Sequence, residues 1–194
     1  LKKGMVFAFL LIISGLGFIG YGLYEKISMD KKTEAALKEA IEKTTSSSIV
    51  TENGVPEDWD PAIGEAIGIL ELPKIEAELP IVAGTDPNEL AKGVGHYTGS
   101  SYPGEIGQIV MSGHNDTVFL RLGELEMGDT FQVKMPYGEY TYEIYDSKIV
   151  DENDLSIITL QKETEEFILT TCYPFHVLGP TPERYILYAK PVKK

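Results

Sequence analysis

Two periodicities divide this chain. Gly4 to Tyr24 is a run of 21 residues without a charge. As a helix rising about 1.5 Å per residue it would span about 31 Å, close to the thickness of a bilayer's hydrocarbon core. Lys2 and Lys3 precede the run, and Glu25 and Lys26 follow it. The positive-inside rule then favours a cytoplasmic N-terminus with the remainder outside. Gly15, Gly17, Gly20 and Gly22 suit a membrane span better than a soluble helix, and Tyr21 and Tyr24 suit the outer interface. The run exceeds the usual leader core and no small-x-small cleavage site follows, so it reads as an uncleaved signal anchor rather than a cleaved leader. No second apolar run of this length occurs, and no C-terminal anchor is expected.

Asp30 to Lys43 changes to a helical repeat. Ala36, Leu37, Ala40 and Ile41 fall on one face, and Glu34 and Lys38 form an i,i+4 pair. Thr44 to Ser48 is polar, and Asn53, Gly54 and Pro56 follow, which is linker chemistry. Whether the helix stands as a stalk or docks on the domain stays open at this level.

From Trp59 the pattern becomes that of strands. Ala66–Leu72, Ile75–Val82, Gln108–Ser112, Thr130–Met135, Glu139–Val150, Phe167–Thr171 and Tyr185–Ala189 are rich in Ile, Val, Leu and Tyr and are punctuated by Gly or Pro. Pro136-Tyr137-Gly138 is a hairpin turn. Asp86-Pro87-Asn88-Glu89 has the N-cap Asp, first-position Pro and third-position Glu of a reciprocal capping box. Thr117 to Leu125 predicts a further short helix. The expectation is a mainly β domain with about seven or eight strands, closed or nearly closed into a barrel, with short helices and an N-terminal transmembrane helix. The expected organisation is residues 1–27 as signal anchor, 28–58 as stalk helix and linker, and 59–194 as a catalytic barrel.

Charge narrows the function classes. The chain carries 17 basic and 30 acidic residues, a net charge of −13. No nucleic-acid partner is expected, because phosphate contacts need clustered Lys and Arg. There is one cysteine, so no disulfide can form within the chain. A lone Cys reads either as a small buried hydrophobe or as a nucleophile, and its surroundings must decide.

Those surroundings are three strand ends. Phe167-Ile-Leu-Thr-Thr-Cys172-Tyr-Pro puts the Cys at the end of an apolar strand that Pro174 closes. Gln108-Ile-Val-Met-Ser-Gly-His114 does the same for a His, and Arg184 opens the last strand. A thiolate attacks a carbonyl, an imidazole holds and returns the proton, and an Arg fork donates to the developing oxyanion. The chain has 15 Lys but only two Arg, so Arg184 reads as chosen for its planar fork, although Arg121 fits a surface role equally. His96 and His176 rival His114, and Arg184 could simply pair with a neighbouring carboxylate.

At these residues the chain resembles the sortases, the Gram-positive surface-protein transpeptidases, over most of residues 66 to 190. Ile67-Gly-Ile-Leu-Glu-Leu-Pro-Lys-Ile75 is similar to the family's first strand. Leu79-Pro-Ile-Val-Ala-Gly84 is similar to its Pro-Val-x-x-Gly turn. Leu90-x-x-Gly93-Val-Gly95-His96-Tyr97 and Pro103-Gly104-x-x-Gly107 resemble the segment before the His strand. Ser112-Gly113-His114 matches the catalytic His motif, and Gly179-Pro-Thr-Pro-Glu-Arg184 the Arg motif. Ile168-Leu-Thr-Thr-Cys172 resembles the Thr-Leu-x-Thr-Cys signature, with Ile for the first Thr. Gln108 stands where many members have Asn. Gly113-His-Asn-Asp-Thr-Val-Phe119 and Thr171-Cys-Tyr-Pro-Phe175 make it most similar to class D. Trp59-Asp60-Pro61 holds the residue types of a class C lid in another order and reads as linker docking.

The resemblance implies a closed sortase-type barrel and a thiol-dependent exchange of one amide for another. Cys172 would attack the Thr carbonyl of a Leu-Pro-x-Thr-Gly-type sorting signal and form an acyl-thioester. His114 would protonate the departing Gly amine and Arg184 would stabilise the transition state. The implied partners are surface proteins with a C-terminal sorting signal, a lipid-linked peptidoglycan precursor as acceptor, and the membrane through residues 4–24. The implied location is a single-pass anchor in the cell membrane with the catalytic domain extracellular. Thr171, Tyr173, Ile157 and Ile158 are the candidate substrate-binding residues. Asp116 is expected to orient the His loop through an Asx-type turn. No cofactor and no metal is expected, since Asp151, Glu152 and Asp154 read as a solvated surface rather than a calcium site. The rivals are another cell-wall cysteine enzyme and a non-enzymatic anchored binding domain. An L,D-transpeptidase has His-Gly before its Cys, where Thr-Thr stands here, and a papain-like peptidase has its Cys at a helix N-terminus.

Overall fold

The computed structural model describes residues 3–46, 54–175, 177 and 181–192. Helix α1 runs unbroken from Lys3 to Ser46, so the two predicted N-terminal elements are one rod of 44 residues, about 66 Å long. Neither Pro nor Gly stands between Leu23 and Ser46, and nothing else there stops a helix. Every residue from Gly4 to Ile27 is exposed, leaving a continuous apolar surface that needs cover.

Eight strands follow: β1 Ala66–Leu72, β2 Ala77–Ala83, β3 Val94–His96, β4 Gln108–Ser112, β5 Thr130–Met135, β6 Gly138–Asp151, β7 Glu166–Tyr173 and β8 Glu183–Pro191. They close into a barrel in the order β1-β2-β3-β4-β7-β8-β6-β5, with β5 pairing back on β1. The β2–β3 and β4–β7 pairs are parallel and the others antiparallel. Alternation decides what fills the barrel. Leu70, Leu72, Ile81, Ile109, Met111, Phe131, Val133, Phe167, Leu169 and Leu187 point inward. Phe131, Tyr142 and Phe167 stack at its centre with ring centroids 4.7–5.5 Å apart. The Tyr142 hydroxyl remains satisfied by donating to Glu165 Oε1 at 2.7 Å. Trp59 packs edge-on against Tyr137 and Tyr102, as linker docking requires.

Three local expectations are corrected. The strand predicted from Ile75 begins at Ala77, because Pro73–Ile75 is a 3-10 turn that ends on a left-handed Glu76 (φ 53°). Pro73, with no N–H and a helical φ, favours the first position of such a turn. Helix α2, Pro87–Leu90, forms after Asp86, but the Asp86 side chain makes no capping hydrogen bond, so the box is not closed. Thr117 to Leu125 is a series of turns with a single 3-10 turn at Leu122–Glu124, not a helix. Strand β3 was not expected. It spans only three residues, too short to show alternation, and relies on Gly95, where a Cβ would collide with the Gly84 carbonyl oxygen.

The C-terminal part of α1 lies on the outer face of β1 and β2. Ala36 and Ala40 are buried against Ala66, Ile69 and Val82, with Leu37 beside them. Lys43 Nζ seals the edge, donating to Glu65 Oε1 at 2.7 Å, Glu39 Oε1 at 2.8 Å and the Ala66 carbonyl at 2.9 Å. Burial works against the charged Lys43, but the two carboxylates outweigh it and raise its affinity for its proton. Small Ala side chains permit this close approach, so the helix docks. Of the linker predicted at Thr44–Ser48, residues 47 and 48 lie outside the described residues, as does Asn53.

Candidate active site

The period of two on β7 separates two faces. Phe167 and Leu169 point into the barrel, and so does the buried Thr171. Ile168, Thr170 and Cys172 therefore point outward, with Ile168 joining Val110, Ile186 and Tyr188 in an apolar cluster on the outside of β4, β7 and β8. Cys172, a free thiol of intermediate exposure, continues that face at the strand end.

Register brings the other two residues to the same level. Cys172 is directly opposite Arg184 in the β7–β8 pair, so both side chains leave the same face. On the other side β4 is parallel to β7, with Ser112 beside Thr170. Gly113 N–H donates to the Thr170 carbonyl at 3.1 Å, carrying the pairing one residue beyond β4. Two further steps from Ser112 and from Thr170 lead to His114 and Cys172. Cys172 and Arg184 therefore share one end of the β7–β8 pair, and His114 follows two residues after the end of β4, the parallel neighbour of β7.

The His114 segment is held from several sides. Thr171 Oγ1 donates to the Gly113 carbonyl at 2.7 Å. A Cβ on Gly113 would lie 2.6 Å from the Phe119 ring, so only glycine lets the buried Phe119 close on this turn. Phe119 N–H donates to the His114 carbonyl at 2.9 Å, and Asn115 Nδ2 donates to the Pro174 carbonyl at 3.1 Å, linking the turn to the chain just past Cys172. Asn115, which sequence reasoning passed over, therefore ties the loop. Asp116 is exposed and has no side-chain hydrogen bond among the described residues. Thr171 differs from its sequence reading. Its hydroxyl is buried on the inner side and engaged with Gly113 rather than offered to the face that bears Cys172.

Arg184 is anchored at rest. Nη1 donates to the carbonyls of Thr181 (2.8 Å) and Glu183 (2.9 Å), and Nη2 meets Glu152 Oε2 at 3.2 Å. Arg121 is engaged elsewhere, with both Glu124 carboxylate oxygens at 2.8 Å and the Ile75 carbonyl at 2.9 Å. His96 is structural. It is 2% exposed, stacks on Tyr102 at 4.3 Å, and shares its Nε2–H between the Ser101 carbonyl (2.9 Å) and Ser100 Oγ (3.1 Å). Ser100 gives its own proton to the Tyr97 carbonyl, which leaves Nε2 as the donor. His176 lies outside the described residues, as do Gly179 and Pro180 of the Arg motif.

Tyr173 is half-buried at the barrel rim in an aromatic trio with Phe175 (5.6 Å) and Tyr185 (6.3 Å). Ile157 and Ile158 lie in the β6–β7 connection, half-buried against Val110, Ile168, Ile186 and Tyr188. They thus sit over the same outer face that ends in Cys172. Nearby acidic groups have local partners: Asp151 accepts from Asn153, Asp154 from Ser156, and Glu152 from Arg184.

Known proteins share this fold and sequence. The family model for the sortase domain fits residues 70–192. Sortase D of Bacillus subtilis (strain 168) is 54% identical over 189 residues, covering 94% of this chain and 96% of that protein. The solved structure of a Clostridium perfringens Sortase D5 transpeptidase superposes with a TM-score of 0.70 at 21% identity, covering 84% of this chain and 99% of that one. Sortase C of the same organism, solved with the C-terminal cell wall sorting motif, superposes at 0.64 and 24% identity, covering 90% and 97%. With family model, relative and barrel in agreement, this chain belongs to the sortase family of cysteine transpeptidases and is most similar to its class D.

Proposed function

We propose that this cell-wall transpeptidase cleaves a Leu-Pro-x-Thr-Gly-type signal between Thr and Gly, with Cys172 as nucleophile, His114 as proton carrier and Arg184 as transition-state stabiliser. One observation supports the reading: Arg184 is paired opposite Cys172 across β7 and β8, with His114 two residues past the end of β4, the parallel neighbour of β7. In the first half-reaction the Cys172 thiolate forms a bond to the Thr carbonyl carbon. The Thr–Gly C–N bond breaks, and the Gly amine leaves with a proton from His114. In the second, an acceptor amine attacks the thioester carbon, His114 takes its proton, and the thiolate departs. One amide replaces another, so neither an oxidant nor ATP is required.

The Arg184–Glu152 pair favours this role rather than opposing it. Both side chains are about a third exposed or more, and such a pair is worth on the order of 0–1 kcal/mol. A donor carbonyl or oxyanion can therefore draw the fork from Glu152 at little cost. The outer face of β4, β7 and β8 below Cys172 is covered by Ile157 and Ile158, and the half-exposed sides of these two isoleucines would form the apolar wall that meets the Leu and Pro of the donor. Tyr173 and the rim aromatics would border the leaving side.

The donors would be surface proteins with a C-terminal sorting signal, and the acceptor a lipid-linked peptidoglycan precursor. Residues 4–24 would cross the membrane with the N-terminus cytoplasmic and the barrel outside, within reach of that acceptor. Mass spectrometry of the chain incubated with a Leu-Pro-x-Thr-Gly peptide should show an acyl adduct on Cys172 that hydroxylamine releases. No adduct would sink the reading. Cys172→Ala should abolish turnover and His114→Ala should remove most of it. Arg184→Ala should lose about 100-fold or more in kcat, the usual loss for an oxyanion donor, and Arg184→Lys should not restore it. Full activity in either His114→Ala or Arg184→Ala would reassign that residue.

A further inference from the structure

Gln108 opens β4 and is 1% exposed, far from the chemistry. It is beside Glu166 in the β4–β7 register, six residues before Cys172. At about 3.3 Å per residue that places it about 20 Å from the thiol, so it cannot touch the reacting atoms. Yet its side chain is fully engaged. Nε2 donates to the Ile157 carbonyl at 3.0 Å and to Glu166 Oε2 at 2.9 Å. Oε1 accepts from the backbone N–H groups of Thr159 (2.9 Å) and Leu160 (3.1 Å). Its own N–H donates to the Gln161 carbonyl at 2.9 Å. Four of the five residues from Ile157 to Gln161 are thus fastened through this one residue. The carboxylate it meets is itself oriented, because Glu166 Oε1 accepts from the Tyr145 hydroxyl at 2.7 Å.

The fastened segment is not a relaxed one. Leu160 holds a left-handed backbone (φ 50°), a conformation a branched side chain adopts only under constraint. Leu155–Ile157 is a single 3-10 turn stabilised locally by Asp154 and the Ile158 N–H. Such short turns do not hold a position alone. Ile157 and Ile158, on this segment, lie against the outer apolar face of β4, β7 and β8.

We propose that Gln108 is a positioning residue for donor binding: it clamps Ile157–Gln161 to β4 and so fixes the apolar wall over the face that leads to Cys172. This rests on the donor groove proposed above. A longer amide is what the site needs. Asn, one methylene shorter, would not span from β4 to both the Ile157 carbonyl and the Thr159 and Leu160 amides.

The test measures steady-state kinetics with a Leu-Pro-x-Thr-Gly peptide, together with amide hydrogen exchange. In Gln108→Ala, KM should rise about tenfold while kcat changes less than about twofold, the pattern of lost uniform binding. Gln108→Asn should resemble Gln108→Ala. The Thr159 and Leu160 amides should lose protection while those of β7 keep theirs. The rate of Cys172 alkylation by iodoacetamide should be unchanged, which a general loosening of the barrel would alter. If Gln108→Ala does not fold, Gln108→Met keeps the side-chain volume without the hydrogen bonds and should show the same KM rise. Ile158→Ser, on the half-buried wall, should also raise KM and should add little to a Gln108 variant. An unchanged KM, or an equal fall in kcat with loss of β7 protection, overturns the proposal alone. A wild-type chain that forms no Cys172 adduct overturns the donor reading and this proposal together.

Discussion

Burial holds the His96 imidazole below its ordinary titration range, against the weaker opposing pull of the Ser101 carbonyl and the Glu105 charge. The sign follows from linkage. Above the unfolded value of about 6.5 both states are neutral and the stability is complete. As pH falls through that value the unfolded chain takes up a proton first, so stability declines, by at most about 1.4 kcal/mol per pH unit, and levels off below the folded value. Glu65 and Asp129, each lowered first by a Lys hydrogen bond, keep their contribution until pH falls below their unfolded values of 4.5 and 3.8. They therefore lie outside the window. Urea midpoints of the detergent-solubilised chain should drop between pH 7.5 and 5.5, and less so in His96→Gln. Equal drops in the two proteins would remove His96 from the explanation. The strands that carry or precede Cys172, His114 and Arg184 were legible in the sequence, and each of the three residues lies within two positions of a strand end. The partners of Gln108 were not, since Ile157, Thr159, Leu160 and Glu166 lie 49 to 58 residues further along the chain. The inward direction of Thr171 follows from counting alternate positions from Phe167, a count its place among the candidate substrate-binding residues did not use.

Among the elements, long strands announced themselves and short ones did not. β6 and β7 gave alternation and β-branched runs, whereas β3 is three residues with Gly93 before it and Gly95 within it, both at close backbone approach. A capping signature at Asp86 set the start of α2 correctly while its hydrogen bond is absent, because Pro87 alone presets the first turn. The docking of α1 was half visible: Ala36, Leu37 and Ala40 marked a face, but nothing in one dimension said what it meets. That contact rests on small side chains, with Ala40 fully buried. Ala40→Glu forces a carboxylate into it and should release the helix end at a cost of about 1–3 kcal/mol. Limited trypsin digestion should then cut after Lys38 and Lys43 faster than in the wild-type chain, while β7 and β8 remain intact. Unchanged cleavage would mean that the helix is held by something other than this contact.

At the scale of the whole molecule, the order of the strands places the helix. β1 and β2, which carry α1, lie across the ring from β7 and β8, which carry Cys172 and Arg184. The helix therefore leaves the Cys-bearing face uncovered, a point the sequence left open. From Tyr24 at the proposed membrane surface to Ala36 at the barrel is twelve residues of continuous helix, about 18 Å. Inserting a Gly/Ser stretch of about 20 residues after Met29 would turn this spacer into a flexible coil. Transfer to a membrane-borne acceptor should slow, while transfer to a small soluble amine should not change. Equal rates with the lipid-borne acceptor would show that distance from the bilayer is unimportant.

The unbroken helix has a further geometric meaning. A single span in a fluid bilayer turns about its own axis, and a barrel locked to it turns with it. With the span at residues 4–24, Cys172 would trace a ring around the anchor at one altitude, on the side facing away from the rod. Chains on loose tethers sample a hemisphere; this one would patrol an annulus. Tilt of the span would widen that ring into a band, and an acceptor amine carried well above or below it would react less often, so the length of the lipid-linked headgroup would bias selection.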